Sequence, residues 1–277
     1  MLNRKKSGSM VCPSCGRLIS VTAKECIHCG RKNPGLWGFG PAFKQTFGRS
    51  IDPVMLIIAA SVLIYLIAIL IDPSALLRPR GVFSFLSPSM GALDRLGMTG
   101  KYALQQGRWW TLITAIYLHG GILHILFNML WLRQLGETVG YLFGNSRMFL
   151  IFTIAGMIGF LLSDCFSINF TVGASGSIFG LLGALIYYGR RRGGVFGAAV
   201  YRQVGSWALV LFIFGFLMPG VNNIAHLGGF LGGYLSAQFL SFQELKPENN
   251  NHRSLALVAT AVTLLCFLAA IIFPSRF

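Results

Sequence analysis

Charge is scarce in this chain, and acidic charge is scarcest. Only 11% of the 277 residues are charged and eight are Asp or Glu, whereas 54% are hydrophobic. This composition excludes an ordinary soluble enzyme and is typical of a polytopic membrane protein. The shortage of carboxylates also argues against a catalytic metal site built from acidic ligands.

The first fifty residues lack the apolar run of roughly 7 to 15 residues that a secretory signal requires. We therefore expect a cytoplasmic N-terminus, with the first hydrophobic helix acting as the insertion signal. The formal charge is +15, but nine of the 23 Lys and Arg precede Pro53, and three more form the run Arg190-Arg191-Arg192. Clusters at segment ends are typical of the positive-inside rule, which argues against nucleic acid as a partner.

The chain divides into three parts by composition. Residues 1–32 form a polar, cysteine-containing module, residues 33–52 a linker rich in Gly, Pro and aromatics, and residues 53–273 an all-α membrane domain. Seven apolar stretches in this domain approach the ~20 residues that a helix needs to cross ~30 Å of hydrocarbon. They predict helices at about 53–71, 117–142, 148–169, 173–189, 204–219, 223–241 and 254–273.

The basic residues predict the sidedness of these helices. With the N-terminus inside, the inner connections hold Arg147, the cluster from Arg190 to Arg202, and the segment from Lys246 to Arg253. The long outer loop 72–116, which also carries basic residues, is the exception. An odd number of spans leaves the C-terminus outside, and the protein is expected in the cell membrane as an integral, multi-pass protein.

Three polar constellations interrupt the predicted helices. Polar side chains are costly in hydrocarbon and are functional candidates there. By the predicted topology, the helices that carry them all start at the outer surface, so their key residues lie roughly 5–10 Å below it. The constellations are His119-Gly-Gly-Ile-Leu-His124-Ile-Leu-Phe-Asn128, Gly173-Ala-Ser175-Gly176, and Ala225-His226-Leu-Gly-Gly229.

Ser175 and His226 together offer the minimum equipment for nucleophilic acyl transfer. A serine at a helix N-terminus lies beside unpaired backbone N–H groups that can stabilise an oxyanion. The alternatives are a small-residue packing motif around Ser175 and, for His226, a buried hydrogen-bonded histidine, a proton relay, or a metal or haem ligand. No acid completes a triad, so a dyad is the simpler interpretation.

The first constellation has two interpretations. His124 and Asn128 are one helical turn apart, share a face, and could bind an oxyanion. A metal site that also uses His119 is the rival, although two His five residues apart do not share a helical face. Gly120-Gly121 would break the helix and place His119 in a loop.

In combination and in this order, these motifs resemble the rhomboid family of intramembrane serine proteases over about residues 53–273. The resemblance implies a six-helix core plus one C-terminal helix, a fifth helix that gates substrate access, and no cofactor for catalysis. It implies substrates that are single-pass transmembrane proteins, cut within the lipid bilayer near the outer leaflet. It assigns the nucleophile Ser175, the general base His226, the oxyanion-hole residues His124, Asn128 and the Ser175 N–H, and accessory roles for His119, Gly173 and Phe179.

The chain departs from the family pattern at three places. The usual Trp-Arg of the first loop is Trp109-Trp110 followed by Thr111, with Arg108 nearby. Gly140 stands where many relatives carry Glu, and Phe179 replaces a Tyr that often stacks on the catalytic His. Since no catalytic group is lost, a silent rhomboid-like binder of membrane clients remains only the alternative.

The N-terminal module carries two C-x-x-C knuckles, each followed by Gly. Cys12 and Cys15 form the first, and Cys26 and Cys29 form the second. Four thiolates in this spacing are typical of a zinc ribbon, with disulfides and a rubredoxin-like iron site as the alternatives. A reducing cytoplasm argues against disulfides, and a module of ~25 residues needs a structural Zn²⁺ to fold. A cytoplasmic partner for this module is a further expectation.

Overall fold

The computed structural model describes residues 6–12, 17–35, 52–74 and 86–274. The chain separates into two compact units, Met1–Asp52 and Pro53–Phe277. Cys15, most of the predicted linker and the three C-terminal residues lie outside the described residues.

The N-terminal unit contains a short hairpin of two antiparallel strands, β1 (Ser9–Val11) and β2 (Leu18–Ser20). The strands pair with Ser9 opposite Ser20. A small core forms from Cys12, Ile19 and Cys26. Because few apolar side chains are buried among the described residues of this unit, a second source of stability is expected.

The second unit contains ten α-helices within its described residues, seven of them long. Three short helices lie between the first and the second long helix, and a 3-10 turn over Ala115–Tyr117 follows the last of the three. In chain order the helices are α1 (Pro53–Ile71), α2 (Met90–Arg95), α3 (Lys101–Gln105), α4 (Thr111–Thr114), α5 (Ile122–Phe143), α6 (Asn145–Cys165), α7 (Ser175–Arg192), α8 (Gly194–Leu217), α9 (Asn223–Leu240) and α10 (Asn250–Ile272).

Each predicted apolar stretch overlaps one of the seven long helices. Within the described part, four of them (α1, α6, α8 and α10) are long and apolar enough to cross a membrane, and the bent segment from Thr111 to Phe143 would make a fifth. The chain is thus an integral membrane protein. The helices that carry Ser175 and His226 are not among the four, because glycine and polar residues dilute their apolar character. The count of seven spans stays a prediction.

Several predicted boundaries were wrong. Helix α8 begins at Gly194 and not at 204, so Arg202 lies inside a helix, and Arg190–Arg192 form the last turn of α7 instead of a connection. The second long helix begins at Ile122 and not at 117, because the chain bends by 93° between Tyr117 and Ile122. The third begins at Asn145, which places Arg147 inside a helix and not in a connection. Arg147 is fully buried and donates to the carbonyl oxygens of Leu240, Ser241 and Lys246. These bonds satisfy carbonyl groups at and beyond the end of α9.

Helix α9 packs most closely against α7 and α6. Glycines make the approach to α7 possible: a Cβ at Gly229 would overlap the carbonyl oxygen of Gly176, and one at Gly233 would overlap that of Gly180. Small residues at this spacing let membrane helices approach backbone to backbone. The glycines thus permit a close approach between the helices of Ser175 and His226.

The loop before α5 is more ordered than the sequence indicates. Arg108 and Asp94 form a buried ion pair at 2.7 Å, and Arg108 also donates to the Asp94 carbonyl oxygen. Thr111 donates to Arg108 O at 2.7 Å and lies 3.0 Å from Thr99 Oγ1. Arg108 and Thr111, noted at the family's first-loop signature, thus both hold the loop together.

Candidate active site

Ser175 is the first residue of α7. The sequence predicted a helix start at 173, which would make Ser175 the third helical residue. Gly173, however, has a φ of +125°, which no residue of a helix adopts, so the helix cannot start there. The Gly173 N–H donates to the Ala115 carbonyl oxygen at 2.9 Å and fixes this turn. The Ser175 N–H therefore lies in the first turn, where backbone donors have no intrahelical partner.

His226 reaches Ser175 from the first turn of α9. Its Nε2 lies 2.9 Å from Ser175 Oγ, which is hydrogen-bond distance. The Phe179 ring stacks on the imidazole, with centroids 4.3 Å apart and planes inclined by 13°. His226 is 6% exposed, so the pair is shielded by protein, while Ser175 is half-buried.

No described carboxylate orients His226, whose Nδ1 is buried without a hydrogen-bond partner in the described part of the chain. Glu137 pairs with Arg133 on the exposed side of α5. Asp164 is the penultimate residue of α6. The geometry therefore presents a serine–histidine pair held by ring stacking.

His124 lies beside the turn that leads into Ser175. The backbone N–H of Gly120 donates to His124 Nδ1 at 3.3 Å, so the neutral ring carries its proton on Nε2. A Cβ built on Gly173 would lie only 2.7 Å from that Nε2. Two features therefore require glycine at position 173: its positive φ, and the His124 ring, which leaves no space for a Cβ.

Asn128 lies one turn further along α5 and is 6% exposed. Its Nδ2 donates to the His124 carbonyl oxygen at 2.7 Å. This bond fixes the orientation of the amide, because the opposite orientation would bring two oxygens together. The second N–H of Nδ2 stays available as a donor.

His119 lies in the bend between the 3-10 turn and α5, and it is fully buried. Its Nδ1 donates to the Tyr117 carbonyl oxygen at 3.2 Å, and its ring packs edge-on against His124 at 5.1 Å. Both Nδ1 atoms of this histidine pair are already engaged by backbone groups. His119 therefore supports the position of His124 by packing.

One polar residue near this site was not predicted from the sequence. Asn222 precedes α9 and binds Ser163 and Thr171 as well as the helix terminus. The signal that could have revealed it is an Asn directly before an apolar helix, a preferred N-cap residue. Ser177, by contrast, is buried on another face of α7 next to Gly156.

The cysteines form a second cluster, in the N-terminal unit. Among the described residues, the group of His, Cys, Asp or Glu close enough to share a metal is Cys12, Cys26 and Cys29, with ligand atoms within 4.8 Å of one another. The Sγ atoms of Cys12 and Cys29 are 3.8 Å apart, close to the ~3.8 Å edge of a tetrahedron with Zn–S bonds of ~2.3 Å.

The two knuckles share a backbone pattern. Cys12 N–H donates to Arg17 O, and Cys26 N–H donates to Arg31 O, so each first cysteine bonds to the residue five positions later. His28 faces Arg17 instead of the sulfurs, with 3.4 Å between His28 Nδ1 and Arg17 Nη1. The residues present therefore fit a thiolate-bound metal.

Comparison with known proteins identifies the family. The Rhomboid domain family matches residues 106–243. The chain is 37% identical to rhomboid protease GluP of Bacillus subtilis (strain 168) over 186 residues, 65% of this chain and 36% of that protein. It is 36% identical to RHOMBOID-like protein 5 of Arabidopsis thaliana over 167 residues, 57% of this chain and 51% of that protein.

A shorter relative is covered more completely. YdcA of Bacillus subtilis (strain 168), also named after this family, is 31% identical over 142 residues, 50% of this chain and 70% of YdcA. The longer relatives are matched over about half of their length or less. With the rhomboid motifs, the helical membrane fold and these similarities together, the chain belongs to the rhomboid family.

Proposed function

We propose that this protein is an intramembrane serine endopeptidase that uses Ser175 and His226 as a catalytic dyad. The observation that carries the proposal is the 2.9 Å contact between Ser175 Oγ and His226 Nε2, made by residues from two membrane helices. Placing a polar pair in an apolar environment costs free energy, so its presence there points to a function. The names of the relatives support protease chemistry.

The proposed first step is attack of Ser175 Oγ on the carbonyl carbon of a substrate peptide bond. His226 Nε2 accepts the hydroxyl proton as the new C–O bond forms. The same proton then goes to the leaving amine as the C–N bond breaks. Water, activated by His226, hydrolyses the acyl-enzyme and regenerates the Ser175 hydroxyl.

The tetrahedral intermediate places a negative charge on the former carbonyl oxygen. Three groups are proposed to donate to it: the Ser175 N–H, His124 Nε2–H and the free N–H of Asn128. Such donors act best when they are held in place before the reaction. The bonds of His124 to Gly120 and of Asn128 to the His124 carbonyl provide that preorganisation.

The proposed substrates are single-pass transmembrane proteins cut near the outer leaflet of the cell membrane. The proposed topology has seven spans, with the N-terminus in the cytoplasm and the C-terminus outside. A helical peptide bond is shielded by its own hydrogen bonds, so segments with small, helix-loosening residues are the expected sites of cleavage.

The proposal is tested with a fluorophosphonate probe and a model transmembrane substrate. We expect the wild type to be labelled and to cleave, and Ser175→Ala and His226→Ala to do neither while keeping the wild-type melting temperature. Ser177→Ala, two residues from the nucleophile, is the matched control and should keep activity. A wild type that binds client helices but is never labelled would support the silent-binder alternative instead.

We further propose that Cys12, Cys15, Cys26 and Cys29 hold one structural Zn²⁺. The support is the spacing of the three described sulfurs and the shared backbone pattern of the two knuckles. The metal, when bound, would cross-link a unit with a very small apolar core. The module is proposed to face the cytoplasm, away from Ser175, and to contact a cytoplasmic partner.

A further inference from the structure

Asn222 connects three segments of the membrane unit through one side chain. Its Oδ1 accepts from the Ala225 N–H at 3.0 Å and so caps α9. Its Nδ2 donates to Ser163 Oγ at 2.6 Å and to Thr171 Oγ1 at 3.2 Å. The start of α9 is thereby tied to the end of α6 and to the segment before α7.

Both ends of this connection lead to the proposed dyad. The His226 N–H donates to the Asn222 carbonyl oxygen at 3.2 Å, so the histidine lies one helical turn after Asn222. Thr171 lies four residues before Ser175, and its backbone pairs with Thr99 in both directions, at 2.8 and 3.3 Å. Asn222 therefore links the segment that carries the base to the segment that carries the nucleophile.

An asparagine side chain suits this position chemically. Its oxygen accepts from the helix terminus while its two N–H groups reach two hydroxyl oxygens. Ser163 is 1% exposed, so a lost partner would leave a buried hydroxyl unsatisfied. The hydrogen bonds of Asn222 fix the start of α9, whereas the glycine contacts hold α7 and α9 together further along their length.

We propose that Asn222 is a positioning residue that holds His226 at the correct distance and angle from Ser175. It touches neither the substrate nor the reacting atoms. This inference rests on the proposed serine protease function. Its mechanism is geometric: proton transfer requires a short, aligned Oγ–Nε2 contact, and a small displacement of α9 relative to the Ser175 turn lengthens it.

The test is the kinetics of full-length Asn222→Ala in proteoliposomes, with a transmembrane substrate and the fluorophosphonate probe. We expect kcat and the rate of probe labelling to fall together by about 10- to 100-fold, the scale for a misplacement of about 1 Å. KM should stay near the wild-type value. Asn222→Asp should recover most of the turnover, because its carboxylate keeps the cap and the two hydroxyls can donate to it.

The matched control is Asn249→Ala. Asn249 caps α10 by accepting from the His252 N–H at 3.2 Å. It lies in the connection after α9, at the opposite end of that helix from His226. Both variants should lower the melting temperature to a similar extent, but only Asn222→Ala should lower kcat. Equal melting temperatures with unchanged kcat in both would reduce Asn222 to an ordinary helix cap and overturn the inference.

A second variant keeps the test decisive if Asn222→Ala does not fold. Ser163→Ala combined with Thr171→Val leaves the cap of α9 intact and removes the two hydroxyl partners. The same loss of kcat is expected, and an unchanged kcat would contradict the inference. A wild type that neither cleaves nor reacts with the probe would refute the proposed function itself, which is a different result.

Discussion

The proposed mechanism requires the two histidines next to Ser175 to carry the proton of the neutral ring on different nitrogens. At His124 the Gly120 N–H occupies Nδ1, which leaves Nε2–H as a donor. At His226 the Ser175 hydroxyl faces Nε2, which must accept for the residue to act as a base. In the proposed mechanism one histidine is therefore a proton donor and the other a proton acceptor, and the contact with the Gly120 N–H favours the donor role of His124.

Removing Asn128 tests the proposed oxyanion hole. Asn128→Ala should lower kcat by about 10²–10³-fold, the typical effect of losing one oxyanion donor. The effect should be smaller if the Ser175 N–H and His124 compensate. KM and the melting temperature are the accompanying measurements, since loss of a transition-state contact changes kcat alone. A variant with wild-type turnover would refute the proposed role.

Gly173 should tolerate no side chain. In Gly173→Ala the new Cβ would lie 2.7 Å from His124 Nε2, and the φ of +125° is unfavourable for alanine. We expect at least a 10²-fold loss of kcat, because the Ser175 turn and the His124 ring move together. Cleavage assays and thermal melting measure the two effects separately.

Gly193→Ala is the matched control for that substitution. Gly193 also has a positive φ, +67°, but a Cβ there meets no atom within 4 Å. The control should lose about 1–2 kcal/mol of stability through backbone strain and keep its activity. Equal activity losses at both positions would show that strain, and not contact with His124, is responsible.

At the scale of helices, the approach of α7 to α9 brings Ser175 and His226 together. Gly233→Ala should force the helices apart, because its Cβ would overlap the Gly180 backbone. We expect a loss of about 1–3 kcal/mol, typical of overpacking, together with reduced cleavage. Gly205→Ala on α8, whose nearest neighbour is Ile186 at 3.8 Å, is the control and should leave both unchanged.

The long helices could be located from the sequence because each includes an apolar run, although the start of α8, at Gly194, lies well before the predicted 204. The contact between α7 and α9 could be anticipated as well, since glycines four residues apart remove the side chains that keep backbones separated. These features depend on local composition. The start of α7 was predicted two residues too early, because the positive φ of Gly173 is set by its bond to Ala115 and not by its neighbours.

Apart from the pair Ser175–His226, the polar contacts between distant segments could not be predicted. Arg108 and Asp94 are 14 residues apart, and Arg147 binds carbonyl groups more than 90 residues away. Sequence spacing does not predict such pairs. The loops bring these residues together only in the folded protein, and the contacts themselves hold the loops in that conformation. The same holds for the bond of Asn222 to Ser163, although the capping role of Asn222 has a recognisable sequence signal.

For the whole molecule, the distribution of residue types separates two tasks. Three of the six cysteines lie together in the described part of the small first unit, whereas Ser175, His226, His124 and Asn128 all lie in the second. We propose that a metal in the first unit stabilises that unit, whereas the residues proposed for acyl transfer belong to the second.

The cysteine module should bind one zinc ion per chain. Elemental analysis of the purified protein measures this directly, and Cys26→Ser should remove the metal because it removes a buried ligand of the cluster. Cys165→Ser, at the end of α6, is the control and should retain zinc. Disulfide-bonded, zinc-free protein isolated from cells would contradict both the metal assignment and the cytoplasmic N-terminus.

Deleting residues 1–32 should leave the cleavage of a generic transmembrane substrate intact. The reason is that the residues proposed to perform catalysis lie after Pro53, as do the contacts described for them. The measurement compares kcat and KM of the truncated and full-length proteins in the same proteoliposomes. We expect the deletion to change the choice among substrates, or association with a cytoplasmic partner, because the basic module is proposed to contact such a partner. Loss of all cleavage by a truncated protein that melts like the full-length one would make the module part of the catalytic apparatus.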